Sequence, residues 1–295
     1  MVYDDCILID ICTIWIRGIM KIAYGSDLHL EIRPLEINNT EDAKVLVLAG
    51  DICTVTDLDP LHDIDIGYFR SQRIHNFFKD CCSKFEKVIY IMGNHEHYHH
   101  EFYDTLGRLR KHLGYLPNLH ILEKEAITIS GTTFICGTLW SDMNNEDPAT
   151  KEYMLTRMND FRIIKNGMVK FSPNDAILEH RRMLKFIWDI VGEGDYVVVG
   201  HHSPSFRSVA KEFEKDKLMN GGFHSNLEEF ITNRPQIKLW IAGHTHSRHQ
   251  YYIGDTLLAC NPRGYAGYEA IADTFKLEYL DLNNLPSKTS ESLTQ

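Results

Sequence analysis

With 295 residues, 43% of them hydrophobic and 24% charged, the chain is long enough to bury the core of one large domain. Its net charge of −10 excludes tight, non-specific nucleic-acid binding through a basic surface, which rests on counterion release by Lys and Arg; a nuclease stays open, because a bound metal pair brings its own positive charge. Seven cysteines without C-x-x-C spacing, Cys81 and Cys82 being adjacent, exclude a disulfide framework and imply free thiols in a reducing, cytoplasmic compartment.

Residues 1–19 are apolar but carry Asp4, Asp5 and Asp10 ahead of any base. A signal peptide opens on positive charge, and a membrane span needs about 20 nearly uncharged residues, so neither is expected. Met20 begins MKIAYGSDLH, which has the look of a natural start, and residues 1–19 are read as a dispensable extension. The first β-rich run is KIAYGSDLH, Lys21 to His29, and the second is VLVLAGD, Val45 to Asp51. Cys53, just beyond it, reads as a small buried hydrophobe. Apolar residues at helical spacing predict a helix over about 67–84, and VIYIMGNHE, Val88 to Glu96, is the third run.

The third run leads into NHEHYHHEF, Asn94 to Phe102, where His95 to His99 matches the H-E-x-x-H pattern of zinc proteases. That pattern needs both histidines one turn apart on a helix, with the glutamate as base. Here His95 follows a strand ended by Gly93, so the match reads as a coincidence of spacing. His97, His99 and His100 are assigned to the turn and helix that follow, at the mouth of a site or in solvent.

Residues about 140–175 are polar and longer than a usual connection, which fits a lid or substrate-recognition insertion. A helix is expected over about 176–191, then the fourth run, YVVVGHHS, Tyr196 to Ser203. The stretch after Ser203 carries Gly221-Gly222 and reads as mobile, and Ser225 with Glu228 reads as a capping box. The fifth run, LWIAGHTH, ends at His246; a hairpin turning at Gly254-Asp255 follows, then an alternating strand in TFKLEYLDL. The polar residues 286–295 read as a disordered tail.

All five β-rich runs share one design. Each is a short apolar stretch, typical of a strand buried on both faces, then Gly, then Asp, Asn or His. Ligands of open α/β sheets bind beyond the carboxyl ends of the strands. Five such ends therefore predict a convergent metal site in an α/β layering.

The ordered set D-x-H (27–29), GD (50–51), GNHE (93–96), GHH (200–202) and GHTH (243–246) resembles the calcineurin-like metallophosphoesterase family, from Met20 to about residue 282. The resemblance implies an α/β fold: a two-sheet β-sandwich flanked by helices, built from βαβαβ units, with the metal site at the C-terminal ends of the strands. It implies one domain over 20–285 with the insertion inside it. It also implies two divalent ions about 3.5–4 Å apart, which clamp a phosphate and hold the attacking hydroxide. By resemblance, Asp27, His29, Asp51 and His246 bind the first ion, and Asp51, Asn94, His201 and His244 bind the second. Asp51 bridges the pair, His95 matches the general acid, and Glu96 orients His95 or a ligand. Mn²⁺ is the family's first expectation; the mixed N and O donor set also suits Fe, Zn or Ni.

Outside the motifs, His202 is read as structural or substrate-facing. Arg162, Arg207 and Arg263 are candidate phosphate contacts, each set against a plain alternative: a surface ion pair or a loop-fixing role. His62, His75, His112, His120, His180, His224 and His249 read as surface or packing histidines. The expected reaction is hydrolysis of a phosphodiester or phosphomonoester of a small nucleotide-like substrate. Alternatives of the same fold are a nuclease, which the charge does not favour, and a Ser/Thr protein phosphatase, whose GDxVDRG is replaced here by GDICTVTD. The complete ligand set weighs against a non-catalytic scaffold.

Overall fold

The computed structural model describes residues 20–59 and 67–288. The expected extension, His62 and the last seven residues of the expected tail lie outside them. The strands in chain order are β1 Lys21–Gly25, β2 Val45–Ala49, β3 Lys87–Ile91, β4 Leu119–Leu122, β5 Glu125–Ile129, β6 Thr132–Cys136, β7 Lys165–Asn166, β8 Val169–Lys170, β9 Asp195–Val199, β10 Ile237–Ala242, β11 His249–Ile253, β12 Thr256–Cys260 and β13 Glu278–Asp281. One sheet has the order β13-β1-β2-β3-β4, parallel except for β13. The other has the order β11-β12-β10-β9-β6-β5, parallel from β12 to β6 and antiparallel at both edges.

Side chains alternate across a strand, and here both faces are apolar. Val45, Val47 and Ala49 of β2 point between the sheets and meet Val197, Val199, Leu239 and Ile241. Leu46 and Leu48 point the other way, onto Ile74 and Phe78 of the helix Gly67–Lys84. On the far side, Val198 and Trp240 pack on Met183 and Ile187 of the helix Pro173–Ile190. The result is four layers, helix–sheet–sheet–helix, which is the two-sheet α/β sandwich expected. The parallel strands of both sheets end on one side, where Ser26 N–H bonds to the carbonyl of Asn261 at 3.0 Å and Asp27 N–H to that of Gly50 at 2.9 Å. That shared rim carries the site.

Several local expectations change. Strands β4 and β5 were not foreseen, because they are half-buried edge elements with mixed residues and no ligand after them. The expected capping box at Ser225 and Glu228 does not form: the Ser225 hydroxyl accepts from Asp142 N–H at 3.0 Å, and Glu228 accepts from the Ser205 hydroxyl at 2.6 Å. A capping box is instead closed by Ser172 and Asp175, with Pro173 in the first turn. Gly221 and Gly222 do not mark a mobile loop. They are buried in the helix Lys217–Phe223, where a Cβ would overlap Asn144 at one and Met154 at the other. Close packing against the insertion is their role.

The insertion folds into a left-handed turn at Met143–Glu146, the short helices Pro148–Arg157 and Asp160–Ile163, and the hairpin β7–β8. It has its own apolar core, in which Trp140, Met154, Met158, Phe161 and Phe171 pack against Tyr98 and Phe102. The expected tail begins in contact with the sheet: Lys288 pairs with Asp255 at 2.6 Å, and the Pro286 carbonyl accepts from the Tyr252 hydroxyl.

Candidate metal centre

Each of the five foreseen runs delivers its polar residues to one place. Asp27 and His29 follow β1, Asp51 follows β2, Asn94 follows β3, His201 follows β9, and His244 and His246 follow β10. Three donor groups result: Asp27, His29 and His246; His29, Asp51 and His95; Asp51, His201 and His244. His29 and Asp51 each belong to two of them. The backbone is bent to achieve this. Asp27, His29, Asp51, His244 and His246 all have positive φ, between 46° and 69°, at a cost on the order of 1 kcal/mol each. Gly50 and Gly93 allow the close approach, since a Cβ on either would run into His201.

Groups behind the donors fix their tautomers. His201 Nδ1–H donates to the Ala49 carbonyl at 2.8 Å, His29 Nδ1–H to Glu31 at 3.1 Å, and His246 Nδ1–H to Glu269 at 2.7 Å. Their Nε2 atoms are then left as lone-pair donors facing inward. His29 Nε2 lies 3.1 Å from His246 Nε2, while His201 Nε2 lies 3.2 Å from Asn94 Oδ1 and 3.4 Å from Asp51 Oδ1. His244 Nε2 is buried without any hydrogen-bond partner. Imidazole nitrogens facing one another, plus an orphaned third, form an arrangement that a cation between them would satisfy. The residues fit a divalent metal site.

The same carboxylates attract positive charge strongly. Burial disfavours charge on His201 and His246, yet Asp51 and Asp27 push them up to about 9 and about 10. Burial likewise opposes ionisation of Asp51, but His201 and His95 hold its pKa well below the usual range.

His95 joins this set through His29 and Asp51. Its N–H donates to Asp51 Oδ1 at 2.8 Å, its Nδ1 meets Glu31 at 3.3 Å, and its Nε2 meets the Tyr265 hydroxyl at 3.2 Å. Its ring stacks on Tyr98, with centroids 4.1 Å apart. Burial lowers its pKa, but Asp51 and Glu31 outweigh that and raise it. Glu96 does not touch His95. It accepts from the N–H groups of Asp51, Ile52 and Gly93 at 3.0, 2.7 and 2.6 Å and from the Tyr90 hydroxyl at 2.8 Å, locking together the turns that carry Asp51 and Asn94. Burial and the nearby Asp51 raise its pKa to about 7.

His95–His97 form one 3₁₀ turn, so the H-E-x-x-H helix does not exist. His99 is exposed, but His97 is not at the mouth of the site. It is buried against Phe102 and Trp140. Cys53 is buried 4.0 Å from the Tyr90 hydroxyl. His180, His224 and His249 are buried.

None of the four suspected substrate contacts lines the cleft above the donors. Arg162 is exposed on the short helix Asp160–Ile163. Arg207 donates to the Tyr252 carbonyl at 2.7 Å and lies over the Tyr251 ring. Arg263 is buried, donating to the carbonyls of Leu28, Arg33 and Pro34, so it fixes the loop. His202 is buried between Trp140 and His244, its ring centroids 5.0 and 4.1 Å from theirs.

A cleft of about 660 Å³ opens above the donors, walled by residues 157–159, 208–224 and 265–271. Arg157 is the guanidinium that lines it. Arg157, Tyr265, Glu31, Glu269 and Asp160 were all missed. The signals were faint: Glu31 two residues past His29, and a tyrosine after a Pro-Arg-Gly turn.

The family model for calcineurin-like phosphoesterases matches residues 20–248. An uncharacterized protein, L509, of Acanthamoeba polyphaga mimivirus is 25% identical over 262 residues, 83% of this chain and 91% of that one. Among solved structures, the phosphopantetheinyl hydrolase of Mycobacterium tuberculosis superposes with a TM-score of 0.62 at 14% identity, over 90% of this chain and 98% of that one. A dimetal phosphatase from Danio rerio superposes with a TM-score of 0.53 at 11% identity, over 89% of this chain and 92% of that one. At such identities the structures share the fold.

Proposed function

The chain belongs to the calcineurin-like phosphoesterase family and is a metal-dependent phosphoester hydrolase, and on that premise we propose that it cleaves the phosphodiester or phosphomonoester of a small nucleotide-like substrate, with Mn²⁺ as its metal. One observation carries this reading: the donor set forms the floor of a cleft whose walls are aromatic and whose volume, about 660 Å³, suits a small molecule.

In this reading Asp27, His29, Asp51 and His246 hold one ion, and Asp51, Asn94, His201 and His244 hold the other. When bound, the ions neutralise the phosphoryl oxygens and lower the pKa of the attacking water. The protein supplies the rest. Glu31 holds His95 by Nδ1, which leaves Nε2 directed at the cleft. The carboxylates of Asp51 and Glu31 raise the pKa of His95 and so favour its protonated form, the form that can deliver a proton to the leaving oxygen. Phe213, Phe223 and Tyr98, with Met158 and Met219, offer flat apolar surface for a base or similar group, and Arg157 is the phosphate contact. Glu212 and Asp216 on the same walls repel a polyanion, which favours a mononucleotide over a long nucleic acid.

That the five described cysteines are free supports a reducing, cytoplasmic setting. None of the described helices is long and apolar enough to cross a membrane. The start of the family match at residue 20 supports a single domain over 20–285, and a chain expressed from Met20 should keep full activity.

A Mn²⁺-supplemented screen tests the substrate class. It should compare 3′,5′-cyclic nucleotides, 2′,3′-cyclic nucleotides, mononucleotides, oligonucleotides and phosphopeptides, with Asp51→Asn as the inactive control. Turnover of small nucleotides above the others is expected. Turnover of phosphopeptides or oligonucleotides alone would overturn the reading.

A further inference from the structure

Asn94 raises a question of orientation. Its amide can turn oxygen or nitrogen toward the donor set, and only the oxygen can bind a metal. Asn94 Oδ1 faces His201 Nε2 at 3.2 Å, so the oxygen points inward. On the outer side, Asn94 Nδ2 donates to Asp160 Oδ1 at 2.8 Å and lies 3.1 Å from the Tyr98 hydroxyl. Tyr98 itself donates to the same Asp160 oxygen at 2.7 Å. Asp160 Oδ1 thus accepts both bonds. With Asp160 behind it, the reversed amide would set oxygen against oxygen.

Asp160 is costly to keep where it is. It is fully buried, and its Oδ2 has no partner. Burying a carboxylate with one oxygen unpartnered is unfavourable, so packing alone does not explain one here. Its two bonds do. Asp160 also comes from the insertion, directly after Arg157, Met158 and Asn159, which line the cleft.

We propose that Asp160 is a positioning residue that fixes the amide of Asn94 and thereby builds the second metal position from the same segment that lines the substrate cleft. The insertion is then part of the metal centre and not merely a cover over it. The inference rests on the reading of Asn94 as a metal ligand.

The test is Mn²⁺ titration of the metal-free full-length protein by calorimetry, with electron paramagnetic resonance on the loaded form and thermal melts to verify folding. Asp160→Ser removes the acceptor and leaves room for water. It should weaken the second ion by about 10–100-fold, leave the first unchanged, and replace the spin-coupled pair signal with that of an isolated Mn²⁺. Asp160→Leu, expected to behave alike, serves if the serine variant does not fold. Asp160→Asn keeps one acceptor oxygen and should restore the second ion to within about threefold. Asn94→Ala separates the two readings. If it still binds two ions, Asn94 is not a ligand and the premise fails. If it loses the second ion while Asp160→Ser binds two with unchanged affinity, only the role of Asp160 is overturned.

Discussion

The floor of the cleft is made of strand ends, and its walls are made of connections. On the floor, backbone and side chain restrain each other: His244 N–H donates to Asp27 at 2.9 Å, and His95 N–H donates to Asp51 at 2.8 Å. Five strained residues persist there because buried bonds over-determine them. The walls are looser. Arg157, Phe213 and Glu212 are exposed, and only a few bonds hold them. Such a division keeps the phosphoryl chemistry rigid and leaves the choice of substrate to elements that vary without disturbing it.

The hardest way to break the floor is Asp51→Asn. A carboxylate shared by two donor groups loses its charge, and turnover should fall by at least about 10³-fold, or about 4 kcal/mol, with loss of metal measured by elemental analysis. His95→Ala should be milder and selective. A ribose hydroxyl leaves poorly without a proton, so cleavage of such an ester should fall by about 10²-fold or more. A p-nitrophenolate group leaves unaided, and its release should change far less. Equal losses on both substrates would assign His95 to positioning instead of acid catalysis.

The same division explains what could be read from the residues alone. The floor was legible because each of its donor residues follows a β-rich run and a glycine, a local pattern in one stretch of chain. Its supports were not. Glu269 reaches His246 from 23 residues away and Asp160 reaches Asn94 from 66 away, and no local pattern announces either. The arginines were misjudged for a related reason. A guanidinium is satisfied by any nearby carbonyl, as Arg207 and Arg263 are, so its type says nothing of its direction. The layers and the first long helix were legible through apolar periodicity; half-buried edge strands, which carry a weaker period, were not.

Acid should loosen the wall on the side of residues 208–224. His224 lines the cleft there, and His249 is buried nearby with neither ring nitrogen partnered. Burial lowers both to about 4. The unfolded chain takes up their protons near pH 6.5, so stability is whole above that pH and declines as pH falls toward 4. At pH 4.5 each contributes a loss of about 2–3 kcal/mol relative to pH 7. His249→Leu removes the titrating ring. Denaturant unfolding should find it as stable as the parent at pH 7, with the acid loss reduced by about that amount. An unchanged acid loss would mean that His249 titrates normally in the folded protein.

Arg157 gives the smallest effect and the sharpest distinction between wall and floor. Its guanidinium rests near the Tyr153 ring at the rim, and among the described residues no carboxylate pairs with it. A charged hydrogen bond to phosphate contributes about 1.5–3 kcal/mol when sheltered, and exposure and salt reduce that. Arg157→Ala should therefore raise KM by about five- to tenfold and leave kcat within about twofold. High salt should shrink the difference, because screening removes from the parent what the mutation removes from the variant. A fall in kcat with both metals still bound would place Arg157 on the charge that develops during reaction. The wall would then take part in the chemistry, and the boundary drawn between the two regions would have to move outward by one residue.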